Sequence, residues 1–318
     1  MAFRIVNQGL EVTQTGRELS HAQGGGGAHL RAVVLLAGAV RANTLHKSTC
    51  RSSIKLPVGA GRTVLDCWRE QLTTLAESQG LTLLPVRILV NQSSILEPGT
   101  ERAGPLEITI EKDPSNLRGT GGLLSDIARH YEDEDYLFIS NAGQLLFDPL
   151  SKVWHTLEKT GSDISLLTDR SGVPSGMMRL HCGTLREIKP VGFVDLNEQA
   201  LPELAKSHDV RVVRSAATTA ISVRTLQGYI NALRMYYRQM SGRTMKNDPF
   251  AEDWHPTFAI IEPEAHVSNS AVIHDSVVMA GARVEGGAVV VRSVVCPGAT
   301  VRRDQHVVDS CVALSPSS

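Results

Sequence analysis

The chain has 318 residues, which is longer than most single domains and favours two. Its 32 basic and 33 acidic residues give a formal net charge of -1, so it lacks the broad positive field that holds a nucleic-acid backbone. This balance argues against nucleic acid as its partner. The five cysteines are odd in number and show no spacing suited to zinc, which indicates reduced thiols.

The N-terminal segment, residues 1–29, contains no apolar run that would serve as a signal-peptide core. No stretch of the chain reaches the roughly 20 apolar residues of a membrane span. These features predict a cytoplasmic protein that makes no contact with a membrane. The segment ends in four glycines, 24–27, whose ordering costs much backbone entropy. A flexible lead-in is therefore predicted in preference to a phosphate-binding loop.

From Arg31 the sequence alternates short apolar runs with helical patterns, as parallel strands joined by crossover helices do. The run RAVVLLAG at 31–38 predicts a first strand that is buried on both faces. Further strands are predicted by the apolar runs at 85–90, 106–111, 136–140 and 163–168. An amphipathic helix is predicted at 63–79, and another from Leu226 to about Met240.

The fold class that follows is α/β, with a Rossmann-like domain at 30–245 and a linker at 246–258. This domain is expected to hold a mixed, mostly parallel sheet with helices on both faces.

The C-terminal part, residues 255–314, contains nine consecutive six-residue units from IEPEAH to DSCVAL. Three such units make one triangular coil, which predicts a left-handed parallel β-helix over 259–314. A β-sandwich is the alternative. Four units open on a residue that is not apolar, and these departures predict corners or capped ends: Glu285, Pro297, Arg303 and Asp309.

This domain order, together with the segments LLAG (35–38) and LRGTGGLLSDI (117–127), resembles the sugar-1-phosphate nucleotidyltransferases of the mannose-1-phosphate guanylyltransferase and glucose-1-phosphate nucleotidyltransferase types. The family joins a nucleoside triphosphate to a sugar 1-phosphate and releases pyrophosphate. The residues that the resemblance implies for nucleotide binding are Leu36, Ala37, Gly38, Gly119, Thr120, Gly121, Gly122 and Asn141. Those it implies for the sugar phosphate are Lys189 and Gly192.

Two of these positions have a simpler alternative. Thr120 is a residue type that caps helices, so the glycine-rich segment is alternatively a strand-to-helix turn. We prefer a binding role because a cap does not need three glycines. Lys189 is alternatively a solvated surface lysine.

The sequence departs from the family at the positions that the resemblance assigns to chemistry. Ser53 stands in place of the loop lysine, with Lys55 and Arg51 as neighbouring substitutes. Gly143 and Ser222 stand where two magnesium-binding aspartates are expected. Magnesium is therefore implied as a cofactor only if the protein is active, and no metal ligand is assigned.

Three functions remain open at this point. An active transferase would need substitute carboxylates such as Asp169 or Asp195. A catalytically inactive subunit would bind a nucleotide or nucleotide sugar and regulate or scaffold an NDP-sugar pathway, as a homo-oligomer or with an active relative. An acyltransferase that uses histidines of the β-helix is the weakest: His266, His274 and His306.

Overall fold

The computed structural model describes residues 5–6, 29–38, 44–113, 118–189, 192–244 and 257–314. The predictions for most of the N-terminal segment and for most of the linker lie outside these residues. The chain divides into two compact units. The first comprises Met1–Val40, Gln71–Asn141 and Asp148–Thr219, and the second comprises Arg41–Glu70, Ala142–Phe147 and Ala220–Ser318.

Thirteen strands of the described residues precede the repeats. In chain order they are β1 (Ile5–Val6), β2 (Leu30–Leu36), β3 (Pro57–Gly59), β4 (Arg62–Thr63), β5 (Leu84–Val90), β6 (Gly99–Ala103), β7 (Leu106–Lys112), β8 (Tyr136–Asn141), β9 (Gln144–Leu146), β10 (Ile164–Thr168), β11 (Pro174–His181), β12 (Val210–Arg214) and β13 (Ala220–Ser222). The helices are α1 (Thr44–Thr49), α2 (Val64–Ser78), α3 (Gly119–Ala128), α4 (Leu150–Glu158), α5 (Cys182–Arg186), α6 (Leu201–Leu204) and α7 (Leu226–Thr244). A 3-10 turn at Ser53–Lys55 and a π-helical turn at Leu196–Ala200 complete these elements.

The first unit is built on a nine-stranded sheet in the order β1-β12-β10-β11-β8-β2-β5-β7-β6. Five neighbouring pairs are parallel, and the pairs β10–β11, β11–β8 and β6–β7 are antiparallel. The central position of β2 explains its unbroken apolar run, since both faces of a central strand are covered. The predicted mixed, mostly parallel sheet is confirmed.

Both faces of this sheet carry helices. Leu137 and Ile139 of β8 lie in one buried cluster with residues of α3, α5 and α6. Phe138 points to the opposite face because side chains alternate along a strand. There its ring meets Trp154 of α4 edge to face, with the ring centroids 6.4 Å apart. The helices on both faces are therefore as predicted.

The C-terminal repeats form three parallel sheets, β14-β17-β20-β23, β15-β18-β21 and β16-β19-β22. Their strands are β14 (Ala259–Ile261), β15 (His266–Val267), β16 (Val272–His274), β17 (Ser276–Val278), β18 (Arg283–Val284), β19 (Val289–Val291), β20 (Val294–Val295), β21 (Thr300–Val301), β22 (His306–Val308) and β23 (Cys311–Val312). Each sheet takes one strand from every coil, so the predicted parallel β-helix is confirmed.

Each coil contains 17 residues and not the 18 of three equal units. Val277 pairs with Val294, which is 17 residues later, and the other two sheets keep the same offset. The missing residue is at one corner, where Asp275, Arg292 and Asp309 all adopt positive φ of 47–48°. A left-handed residue turns the chain tightly there and shortens the connection.

This shorter repeat corrects the interpretation of the four irregular units. Because a six-residue count falls out of phase by one position in each coil, Glu285, Pro297, Arg303 and Asp309 do not occupy core positions. The core positions of the later coils are instead filled by buried apolar residues: Val290, Val295, Val301 and Val307. All four lie in the connections between strands, so the predicted corners are confirmed, and the departures mark neither lost core residues nor capped ends.

The helices of the described residues include none that is long and apolar enough to cross a lipid bilayer.

Candidate functional site

A cleft opens in the first unit at the carboxyl ends of β2, β5 and β7, beside the start of α3. This edge of an open α/β sheet is where ligands characteristically bind. The residues that line the cleft are Leu36, Gly38, Leu89, Val90, Asn91, Ser93, Asp113, Gly119, Thr120, Leu123 and Phe193.

The cleft brings together four of the ten residues predicted for binding: Leu36, Gly38, Gly119 and Thr120. Sequence reasoning missed its polar wall of Asn91, Ser93 and Asp113, and the exposed ring of Phe193. Asn91 and Asp113 each come directly after a parallel strand, so the rule that strand ends meet at one edge could have found them.

Gly38 serves the packing of the fold at this edge. Its amide donates to the carbonyl of Leu89 at 3.0 Å, and the amide of Ala37 donates to the same oxygen at 2.9 Å. A Cβ atom on Gly38 would lie 2.8 Å from the backbone nitrogen of Asn91. Glycine is therefore needed for close approach of two strand ends, and these two amides are occupied within the protein.

The glycines at the start of α3 pack against the backbone of Val194. Gly119 has φ of +67°, and its Cβ would lie 2.7 Å from the carbonyl carbon of Val194. The Gly121 amide donates to the Val194 carbonyl at 2.9 Å, and a Cβ there would lie 3.0 Å from that oxygen. The three glycines were our reason for preferring a ligand role, and packing accounts for two of them. A Cβ on Gly122 would meet only ordinary contacts with Arg118.

Thr120 has a different role from the helix cap that was the alternative prediction. Its Oγ1 accepts the backbone N–H of Leu196 at 3.0 Å. The residue at the N-cap position of α3 is Arg118, whose side chain makes no capping hydrogen bond. Interpreting Thr120 as the cap is therefore wrong, and the side chain instead joins the segment of Leu196 to the wall of the cleft.

Six of the predicted binding residues do not line the cleft: Ala37, Gly121 and Gly122, described above, and Asn141, Lys189 and Gly192. Asn141 is exposed at the end of β8, where its side-chain amide lies against Gly176. Lys189 is exposed, which agrees with its simpler interpretation as a surface lysine. Gly192 is also exposed, and no atom lies within 4 Å of its Cβ position.

Three positions that the resemblance assigns to catalysis are neighbours in the second unit. A Cβ atom on Gly143 would lie 2.6 Å from Oγ of Ser53 and 3.3 Å from Cγ of Arg224. The carbonyl of Gly143 accepts the N–H of Val223 at 3.0 Å, and Ser222 pairs with the residue after Gly143. The chain thus brings together a serine, a glycine and a serine where a lysine and two aspartates were expected.

The basic residues proposed as substitutes do not restore a lysine at this position. Arg51 forms an ion pair with Glu262 at 2.6 Å. Lys55 is exposed on the same 3-10 turn as Ser53.

The carboxylates proposed as substitutes bind their own turns. Oδ1 of Asp169 accepts the Ser171 hydroxyl at 2.6 Å and two backbone amides, and these hydrogen bonds lower the pKa of Asp169. Asp195 caps the π-helical turn by accepting two amides. Within the described ranges no group of three histidine, cysteine or acidic side chains could hold a metal ion. Because Mg²⁺ needs hard oxygen ligands, these residues do not fit it.

The three histidines of the β-helix are separated. His266 lies on β15, whereas His274 and His306 lie on β16 and β22, the outer strands of another sheet with β19 between them. All three are exposed. They form no common site among the described residues.

No protein-family model matches the chain, and comparison with curated proteins gives no significant match. Among solved structures, HddC from Yersinia pseudotuberculosis is 15% identical with a TM-score of 0.48, over 65% of this chain and all of its own. The same protein has been solved with GMP-PN, at 14% identity. A Bacillus anthracis protein named for glucose-1-phosphate thymidylyltransferase activity is 11% identical with a TM-score of 0.48, over 70% of this chain and 98% of its own. Scores at this level assign neither family nor function.

Proposed function

We propose that this chain is a nucleotidyltransferase-like protein that binds a nucleotide or nucleotide sugar without turning it over, and that it serves as a regulatory or scaffolding subunit. The observation that carries this proposal is the surroundings of Gly143. Glycine supplies no carboxylate there, and its Cβ position lies 2.6 Å from Oγ of Ser53, so the Ser53 side chain stands where a side chain at position 143 would begin.

The cleft of the first unit supports the binding half of the proposal. Its walls combine apolar side chains such as Leu123 and Phe193 with the amide of Asn91 and the hydroxyl of Thr120. Pockets for organic ligands have this composition, a mainly apolar lining with a few polar groups that fix orientation. The described lining residues include no lysine or arginine. The neutral part of the ligand, its base and ribose, therefore occupies this cleft.

The second unit supports the absence of turnover. Nucleotidyl transfer develops charge on phosphate oxygens, which a metal ion and a lysine stabilise. Removing both groups withdraws several kcal/mol of transition-state stabilisation, and each ~1.4 kcal/mol is about tenfold in rate. With Gly143, Ser53 and Ser222 at these positions, the rate should be lower by several orders of magnitude.

Binding is tested by isothermal titration calorimetry with nucleoside mono-, di- and triphosphates and with nucleotide sugars. We expect one of them to bind, and the Ser93→Trp variant to lose that binding because a large side chain fills the cleft. Ile95→Trp is the matched control, since Ile95 lies on the same loop, is 59% exposed and does not line the cleft. Equal binding by the two variants, or no binding by the wild type, would contradict the proposal.

The scaffolding role requires assembly as a homo-oligomer or with an active relative. Light scattering coupled to size exclusion measures the first directly. If the protein is a monomer under all conditions, the scaffolding role would require a complex with an active relative.

A further inference from the structure

We infer that Phe193 is a stacking platform for the base of the ligand, and that the cleft of the first unit prefers purines to pyrimidines. The inference rests on the proposed function, because it takes the base to be the part of the ligand that enters this cleft. It adds to that function a residue that contacts the base and an order of preference among bases.

The ring of Phe193 is exposed within the cleft and is not packed into the core. It is 48% exposed, and it is the one aromatic side chain among the large exposed apolar residues in the described part of the chain. Leu36, Leu89 and Leu123 line the same cleft and are buried or half-buried. Contact of an aromatic face with water is unfavourable, so a flat ligand that covers this ring is stabilised by removing it from water.

The backbone next to Phe193 is held in place by the protein itself. The N–H of Val194 donates to the carbonyl of Arg118 at 3.0 Å, and the carbonyl of Val194 accepts the N–H of Gly121 at 2.9 Å. A phenylalanine side chain has only two rotatable bonds, so little conformational entropy is lost when a ligand covers its ring. The platform is therefore largely preformed.

The size of the cleft fits a base with its ribose. Its volume of about 230 Å³ is below the roughly 300–1,000 Å³ of pockets that enclose drug-sized ligands, so a whole nucleotide sugar would extend beyond it. Every base has a flat face that can stack on an aromatic ring, and preferences among bases then follow from the strength of stacking. A purine has two fused rings and covers more of a phenylalanine ring than a pyrimidine does. Purines should therefore bind more tightly.

The experiment is a calorimetric titration of the full chain with adenosine, guanosine, cytidine and uridine. Wild type is expected to bind the two purine nucleosides more tightly than the two pyrimidine nucleosides. Phe193→Ala should bind the purine nucleosides roughly 10- to 100-fold more weakly, the loss typical of removing an aromatic partner from a base. Its preference for purines should also be reduced. This ratio separates stacking from a structural defect, since a defect in folding would weaken the binding of all four nucleosides alike.

Two further variants separate a flat ring from apolar contact in general. Phe193→Leu keeps an apolar side chain but has no flat face, so it should lose affinity as Phe193→Ala does. Phe193→Tyr keeps the ring and should retain the affinity of wild type. Val173→Ala is the matched control, because Val173 is an apolar residue of the same unit that is 58% exposed and does not line the cleft.

Two outcomes would overturn the inference. One is purine affinity that is equal in wild type and Phe193→Ala, and the other is wild-type protein that binds pyrimidines as tightly as purines. A protein that binds a nucleoside, loses it in Ser93→Trp and keeps it in Phe193→Ala would refute the stacking role alone. Wild type that binds no nucleoside and no nucleotide would refute the proposed function together with this inference.

Discussion

Substitution of Gly119 by alanine tests whether the glycines of α3 serve packing. The left-handed conformation of Gly119, with φ of +67°, costs an alanine about 1–2 kcal/mol. The new Cβ would also lie 2.7 Å from the carbonyl carbon of Val194, which is backbone and cannot rotate away. Overpacking of this kind costs about 1–3 kcal/mol. The free energy of unfolding should therefore fall by about 2–5 kcal/mol.

Gly122→Ala is the control within the same helix. Its Cβ would meet Arg118 at 3.5 Å, an ordinary contact, and an alanine inside a helix is favoured over glycine by about 0.5–1 kcal/mol. Thermal unfolding should show a midpoint roughly 5–15 °C lower for Gly119→Ala and an unchanged or slightly higher one for Gly122→Ala. Equal stability of Gly119→Ala and wild type would refute the packing role. Ligand binding would then be the remaining explanation for this glycine.

Three further predictions concern the β-helix and the thiols. Ser293→Ala should lower the unfolding free energy by about 1–3 kcal/mol in denaturant titration, because this buried hydroxyl donates to a carbonyl at 2.7 Å and accepts an amide of the next coil at 3.0 Å. The hydrogen bond from Arg292 holds the pKa of Asp309 below its usual value. The ionised carboxylate of Asp309 therefore stabilises the folded protein above pH ~3.9, and this stabilisation is lost as pH falls through the folded-state pKa. The thermal unfolding midpoint of wild type should therefore be higher than that of Asp309→Asn at pH 7, and the two midpoints should coincide at pH 2. Iodoacetamide at pH 8 should label the exposed Cys50 and leave Cys182 unmodified, because burial raises the pKa of the Cys182 thiol to about 12. Peptide mass spectrometry measures the labelling of each cysteine.

The elements of the fold were predictable where one local pattern decides the structure. The run RAVVLLAG gives a strand buried on both faces, and β2 is central for that reason. The repeats gave the parallel β-helix, but not its coil of 17 residues. That length depends on left-handed corners at Asp275, Arg292 and Asp309, which are not residue types that announce a positive φ as glycine does.

The candidate site was predictable only in part. Leu36 and Gly38 were implied by the resemblance, and both lie in the cleft at the end of a parallel strand, where ligands characteristically bind. The role of Gly121 could not be predicted, because its partner is the backbone of Val194, more than seventy residues later. No local sequence pattern reveals such a contact.

The central claim, binding without turnover, is tested most directly by one assay of pyrophosphate release. Purified protein is incubated with each common nucleoside triphosphate and sugar 1-phosphate, with and without Mg²⁺, while binding of the same ligands is measured in parallel. We predict binding of a nucleotide or nucleotide sugar and no release above background under either condition. Release that requires Mg²⁺ and disappears in Ser93→Trp would contradict the claim and establish an active transferase.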